Sequence, residues 1–413
     1  MSKKAIITVG MAFGDEGKGS CVDYLADEYK ADLVVRYNGG HQAAHNVVLE
    51  NGESHTFSQF GSASFSGIPT YLGPNTIVEL NALIKESQHL EQLGVSDPLS
   101  LITIDPYALV TTPFHRILNH IKELGRKEKH GSCGLGIGET RSYWLNYGTE
   151  ALFVKDFHAN RQERLAKLEL LRQRTLLDAQ QHSNSNETNS LLLMLADFDV
   201  GKWDDSIKYV PRLATIESFS SAKTIVFEGA QGVLLDEYFG FHPYTTWSTT
   251  TTKHALDLCS CLDIDDIETI GIIRSYFTRH GNGPLPTETK NVLARGVEHN
   301  SWGPWQGYFR FGYFDRPLFK YALSVQKVDS IFLTHEDNDP GQVCLEHEID
   351  DESLAKLLPT MNLEKQRATG EKLLKSRPKE LAKASARDTI ETSSEAKVKF
   401  RSIGPKRKDK ERV

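Results

Sequence analysis

Residues 9–25 read VGMAFGDEGKGSCVDYL. Gly14, Gly17 and Gly19 let backbone N–H groups approach an anion, and Lys18 adds a mobile positive charge. The spacing departs from the phosphate loop GxxxxGK[ST]. Ala12 stands five places before Gly17, and Gly19 follows the lysine, so no hydroxyl is offered to magnesium there. Asp15 and Glu16 put carboxylates where phosphates would be cradled. A carboxylate makes sense in such a place if it binds Mg²⁺ or accepts a proton from a substrate; the alternative is a cap on the following helix.

Further loops carry polar groups in similar settings. YNGGHQAAHNVV (37–48) places His41 and His45 four apart among small residues. On a helix that pair could hold zinc. The glycine and alanine content, the β-type NVV and the lack of a third ligand nearby favour a histidine that donates to a phosphate or a developing oxyanion. GSCGLGIGETRSYW (131–144) adds closely spaced glycines and the Ser132 hydroxyl. FEGAQGVLLDEYFGFHPYTTWSTTTT (227–252) joins Gln231, able to read a heterocycle through two hydrogen bonds, to a hydroxyl-rich run in which Thr246 could hold a phosphate. FTRHGNGPLPTE (277–288) is a glycine–proline loop following a strand.

The elements around these loops predict how they are positioned. KAIITVG (4–10) is a short β-branched run before the first loop, and the helix after it has Cys21, Val22, Leu25 and Ala26 at helical spacing. ADLVVRYNGG (31–40) is a second strand ending in glycines. LITID, TIVFEGAQG, TIGIIRSYF and SIFLTHED are further strand candidates, each ending in polar or glycine residues. Strand, loop, helix, strand predicts an α/β fold: a large, mainly parallel sheet with a P-loop-like first loop, flanking helices, and ligands beyond the carboxyl ends of its strands. One domain is expected over 1–413, with a helical or loop insertion at about 155–205 and a polar, helix-prone region at about 351–396. SNSNETNS (183–190) reads as a polar loop, KSRPKELAKASARD (375–388) as surface, and the basic end KRKDKER (406–412) as a solvated tail.

Composition sets outer bounds. The 413 residues carry a net charge of -7, against the basic balance of a nucleic-acid binder. No apolar run approaches the roughly 18–20 residues that span a bilayer, and the start MSKKAIITVG runs straight into a strand, so a cytoplasmic protein is expected. Five scattered cysteines, with Cys259 and Cys261 one residue apart, fit reduced structural thiols.

In chain order, FGDEGKGS, GGHQAAHNVV, GSCGLGIG, FEGAQGVLLDEYFGFHPYTTWS, FTRHGNGPLPTE, FRFGYFD, LTHED and RSIGPKR resemble the motifs of the adenylosuccinate synthetase family along essentially the whole chain. The resemblance implies a homodimeric ligase that joins L-aspartate to C6 of a 6-oxopurine nucleotide, driven by a nucleoside triphosphate with Mg²⁺. Asp15 would take the purine N1 proton and, with the Ala44 carbonyl, hold the metal. The 6-oxygen would then attack the γ-phosphorus. His45 would donate to the transferred phosphoryl group, and Lys18 would neutralise charge beside Gly14, Glu16, Gly17, Gly19 and Ser20. Gln42, Asn46, Ser132, Cys133, Gln231 and Thr246 fall at nucleotide-substrate positions, Asp337, Ser402, Gly404 and Pro405 where the family wraps the donor base, and Arg310 and His280 on the aspartate side.

The sequence departs from the family pattern at specificity positions. TKLD becomes Thr334-His335-Glu336-Asp337, which weakens the case for GTP and makes ATP or dATP a plausible donor. The arginine cluster near the sugar shrinks to Arg310, easing a deoxyribose. The residues before the catalytic histidine are His41 and Gln42, with Ala44 for a glycine, and Cys133 replaces a threonine. Arg141 is the candidate for the arginine that reaches into the partner subunit. Catalytic groups kept and specificity groups rewritten resemble the bacteriophage branch that joins aspartate to dGMP, giving N6-succino-2-amino-2'-deoxyadenylate. The expectation is therefore dGMP as acceptor, with IMP and GTP as the alternative. A nucleotide-binding switch is a distant third, since no Ser or Thr follows Lys18.

Overall fold

The computed structural model describes residues 3–126, 131–209, 211–291, 300, 302–348 and 357–413. Ten strands form the main sheet: β1 (Lys4–Gly10), β2 (Leu33–Arg36), β3 (Thr70–Leu72), β4 (Ile102–Ile104), β5 (Arg212–Leu213), β6 (Thr224–Gly232), β7 (Asp266–Arg274), β8 (Ser330–Thr334), β9 (Lys397–Ser402) and β10 (Lys410–Arg412). Their spatial order is β10-β9-β8-β7-β1-β6-β2-β3-β4-β5. Every pairing is parallel except β9 with β10. The predicted α/β class and the large parallel sheet are both present.

β1 lies at the centre because it is apolar on both faces. Ala5 and Ile7 pack on one side with Val35 and Phe227, while Ile6 packs on the other with Val22 and Leu25 of helix α1 (Lys18–Glu28). Full burial of such a side chain contributes about 1.5–3 kcal/mol. β1 is flanked by β6 and β7, and strand order runs outward from it in both directions, so its carboxyl end opens onto the crevice where such sheets bind ligands.

Three local expectations change. Residues 183–190 are only half a loop: Ser185 caps a helix over Asn186–Ala196, its hydroxyl accepting from Thr188 N. That helix and its neighbours, Arg161–His182 and Val200–Ser206, occupy most of residues 155–205, so the region is helical. In the second polar region, residues 351–356 lie outside the described set. Beyond them come a helix over Leu363–Lys375, a strand over Arg377–Ala382 paired antiparallel with Val343–Glu348, and a helix over Ala386–Ser393. The basic end is no solvated tail: Lys410 is buried and begins β10. Among the described residues no helix is long and apolar enough to cross a membrane, and the cysteines are unpaired.

Candidate active site

Beyond β1 the chain turns through Gly14, Asp15 and Gly17, at φ of 87°, 57° and 84°, before α1 begins. Asp is among the few side chains that tolerate this left-handed region. Glu16 is buried inside the loop. Its carboxylate accepts from Ala12 N (3.1 Å) and Gly14 N (2.8 Å) and pairs with the Lys18 ammonium. A Cβ on Gly10 would meet that carboxylate at 2.5 Å and one on Gly232 at 2.6 Å, so glycine is required at both strand ends. With Lys18 paired internally, the positive character of the cradle comes mainly from backbone N–H groups and the start of α1.

Asp15 differs from its neighbour. Its main-chain oxygen accepts from Arg274 Nε (2.5 Å), but its carboxylate is one-quarter exposed. Among the described residues the nearest ionisable contact to that carboxylate is His280 Nε2, 3.9 Å from Oδ2. A carboxylate without a close partner, beside an anion cradle, can take a proton from a ligand or give oxygen to a hard cation. Ala44 lines the same cleft. These oxygen donors fit Mg²⁺.

His45 stands opposite the first loop, and close packing fixes the distance: a Cβ on Gly19 would lie 2.7 Å from the His45 carbonyl carbon. His45 Nδ1 lies 2.5 Å from Glu228 Oε1 on β6, which also meets the Ser62 hydroxyl; Oε2 accepts from Ser62 N (3.0 Å), and Arg36 sits 3.9 Å away. Burial alone would raise the Glu228 carboxyl; the Arg36 guanidinium and the hydrogen bonds from His45 and Ser62 bring it down to about 2. Burial and Arg36 lower the His45 imidazole to about 4, against the pull of Glu228. The shared proton therefore sits on Nδ1, which fixes the ring's tautomer and leaves Nε2 free to accept.

The wall reached from β2 and β6 holds the amides. Gln231, at φ 64°, donates from Nε2 to Thr246 Oγ1 (2.6 Å). Gln231 Oε1, Gln42 Oε1 and His280 Nδ1 are closed to solvent and lack a hydrogen-bond partner among the described residues, a condition that a ligand or ordered water relieves. Ser132 exchanges hydrogen bonds with Asn119 (3.0 and 3.1 Å), and burial raises the neighbouring Cys133 thiol, keeping it neutral. His120, in the preceding helix over Pro113–Gly125, donates from Nε2 to the Gly134 carbonyl of this loop (2.8 Å) and stacks on Trp305, centroids 4.0 Å apart. Thr56 donates to Asn46 Oδ1 (3.3 Å).

At the far end, beyond β8 and β9, lie Asp337, Ser402, Gly404 and Pro405. Asp337 accepts from Asn338 Nδ2 (3.0 Å), and burial raises its carboxyl. His335 takes the left-handed conformation (φ 56°) with Nδ1 against Thr334 Oγ1 (3.0 Å). Burial, then the charges of Arg274 and Lys410, hold it neutral.

Of the catalytic, nucleotide-binding, aspartate-binding and metal-holding residues expected from sequence, all but Glu16 and Arg310 line one cleft of about 1360 Å³. Arg310 faces away: its guanidinium donates to the Gly281 and Gly283 carbonyls (2.9 Å each) and to Glu288 (2.6 Å). It shapes the loop that follows His280 and does not line the cleft. Arg141 lies over the Trp144 ring, 3.7 Å from Glu237, in a smaller cavity beside the cleft. The zinc alternative for His41 and His45 gains nothing, because the one candidate ligand cluster among the described residues is Asp315, Cys344 and His347. Sequence reasoning missed Glu228, although an acid inside the apolar run TIVFEGAQG was a visible signal.

A parallel sheet whose carboxyl-end loops build one polar cleft, with an anion cradle at its centre, defines an α/β nucleotide-binding protein. The sequence model of the adenylosuccinate synthetase family matches residues 7–410. The adenylosuccinate synthetase of Thermoplasma volcanium is 31% identical over 359 residues, covering 84% of this chain and 80% of that one. That of Francisella tularensis is 29% identical over 373 residues, covering 87% and 85%. This chain therefore belongs to the adenylosuccinate synthetase family, ligases that form C–N bonds with a nucleoside triphosphate. Among solved structures, fully ligated adenylosuccinate synthetase from Plasmodium falciparum superposes with a TM-score of 0.76 at 21% identity over 99% of both chains. The cyanophage S-2L succinoaminodeoxyadenylate synthetase, bound to dGMP and dATP, gives 0.65 at 18% identity over 100% and 96%.

Proposed function

We propose that this chain joins L-aspartate to C6 of a 6-oxopurine nucleoside 5'-monophosphate, with dGMP as preferred acceptor and ATP or dATP as phosphoryl donor. The observation that carries the reading is Asp15, a carboxylate without a close partner beside the cradle, one wall away from the unpaired amide oxygens of Gln42 and Gln231. Asp15 removes the N1 proton, the purine 6-oxygen attacks the γ-phosphorus and releases the nucleoside diphosphate, and the amine of aspartate then attacks C6, losing a proton as the 6-phosphoryl group leaves as inorganic phosphate. His45, oriented by Glu228, faces the transferred phosphoryl group; the arriving polyanion raises the ring's proton affinity, Nε2 takes a proton from solvent, and it then donates to that group. Lys18 and the backbone N–H groups offset the phosphate charge, and positioning does much of the remaining work. Asp15 and the Ala44 carbonyl would hold Mg²⁺, which would neutralise phosphate charge.

Several features favour dGMP. A carboxylate beside N1 can accept from both N1–H and the 2-amino group of guanine. Arg310 is spent on backbone carbonyls and does not line the cleft, which leaves one donor fewer for a sugar 2'-hydroxyl. A neutral His335 stands where the family's donor-reading motif has lysine. The cyanophage neighbour was solved with dGMP and dATP. IMP with GTP is the second reading, favoured by the curated relatives at about 30% identity. The test crosses IMP, GMP and dGMP against ATP, dATP and GTP with Mg²⁺ and aspartate. Succinylated product from IMP alone overturns the acceptor preference, and no aspartate-dependent phosphate release from any pair overturns the ligase.

A further inference from the structure

The donor-base loop Ser402–Pro405 leaves β9 and is followed by a single turn over Arg407–Asp409 before β10 returns. Lys410, opposite Ser402 in the β9–β10 register, is only 5% exposed. Its Nζ donates to three consecutive carbonyls, Gly404 (3.4 Å), Pro405 (3.2 Å) and Lys406 (2.8 Å). No carboxylate among the described residues forms an ion pair with it. An ammonium removed from water at this cost, with its three donors filled by loop carbonyls, fixes three peptide planes at once. Asp409 completes the frame: its main-chain oxygen accepts from Ile403 N (3.0 Å), its carboxylate from Lys406 N (2.9 Å), and a Cβ on Gly404 would meet that carboxylate at 2.6 Å.

The same turn is tied to the rest of the site. Arg407 forms a two-pronged pair with Asp23 on α1 and donates to Ser66 Oγ (2.9 Å). Lys406 Nζ donates to the Glu50 carbonyl (2.8 Å), and Lys408 meets the Glu50 carboxylate (2.8 Å), in the turn of the hairpin that begins at His45. α1 starts at the phosphate loop, so residues 406–410 bridge the segments that would hold the two ends of one nucleotide.

We propose that Lys410 is a positioning residue for the donor nucleotide, its buried ammonium holding the base loop in shape while Arg407 sets that loop's distance from the phosphate cradle. This rests on reading that end of the cleft as the donor-base site. Lys410→Met keeps the stem and removes the charge; it should raise the donor KM about tenfold or more, with kcat and the KM values for acceptor and aspartate within about twofold. Lys410→Arg should recover part of the loss. Arg407→Gln, which leaves the ammonium in place, should raise the donor KM by a smaller factor and keeps the test available if Lys410→Met does not fold. An unchanged donor KM, or an equal loss in all three KM values and kcat, overturns the proposal. Titration of ATP and GTP into wild type and Lys410→Met by calorimetry separates this from failure of the ligase reading. Wild type that binds a triphosphate without making product, and binds it more weakly once Lys410 is methionine, retains the clasp and loses the reaction; wild type that binds neither loses both.

Discussion

Asp15 and Glu16 are adjacent in the chain and opposite in circumstance. Glu16 is closed inside the loop, its oxygens taken by two backbone N–H groups and the Lys18 ammonium. The Asp15 carboxylate opens into the cleft, and among the described residues its nearest ionisable partner is 3.9 Å away. The contrast extends outward. Around the first loop, Glu16 pairs with Lys18 and Glu228 with His45; elsewhere in the cleft, Gln42, Gln231 and His280 keep buried atoms without hydrogen-bond partners among the described residues. Polar groups paired within the protein hold shape, and those left unpaired mark where a ligand's groups belong.

Exchanging charge for amide at the two neighbours should produce opposite failures. Asp15→Asn is expected to lower turnover about 10³-fold while urea denaturation and nucleotide binding stay near wild type. Glu16→Gln strands the Lys18 ammonium in a buried site and should cost about 3 kcal/mol of stability, read in the same denaturation experiment. If Asp15→Asn destabilises and keeps its rate, the two carboxylates have been assigned the wrong way round.

Glu228→Gln tests the paired groups where they meet the chemistry. Losing the acceptor for Nδ1–H frees the His45 ring to change tautomer, so kcat should fall about 10²-fold with little change in KM. Acid should expose the same pairing. The folded Glu228 carboxyl stands at about 2 against 4.5, so its share of stability is present above 4.5 and is lost as pH falls towards 2. Burial first, then Arg36 for His45 and Arg116 for His41, lowers both imidazoles to about 4, and burial lowers His115 to about 3. The unfolded chain takes protons near pH 6.5 that these rings refuse, so stability should fall between pH 6.5 and 4. The slope is up to about 1.4 kcal/mol per pH unit for each histidine. His115→Gln should remove one share; an unchanged slope would show that His115 is not held neutral.

The central frame was legible because its signals are local. A β-branched run before glycines marks a parallel strand and its ligand loop, and every such run from KAIITVG to SIFLTHED contributes a strand to the sheet. The C-terminal turn was not legible: Arg407 and Lys410 read as solvated charges until the fold delivers Asp23 and three loop carbonyls to them. Arg377–Ala382 is polar and reads as helix, yet pairing with Val343–Glu348 makes it a strand, a tertiary override of propensity. Ser185 and Thr188 carried a capping signal inside SNSNETNS that its polar composition hid. Motif position placed Arg310 near the cleft; only the folded loop, with the Gly281 carbonyl and Glu288 as partners, decides which way its guanidinium turns.

The smallest expected effect gives the finest test of the unpaired groups. Gln231→Met keeps the length of the side chain and removes both the hydrogen bond to Thr246 and the unpartnered Oε1. If that oxygen is reserved for the acceptor base, the variant should raise the acceptor KM about tenfold and leave the donor KM alone. Stability should hold or rise by about 1 kcal/mol, since a buried acceptor without a partner weakens the unliganded fold. A loss of about 2 kcal/mol with an unchanged acceptor KM would mean that the amide is a structural member like Glu16, and the division between paired and unpaired groups would no longer hold at this residue.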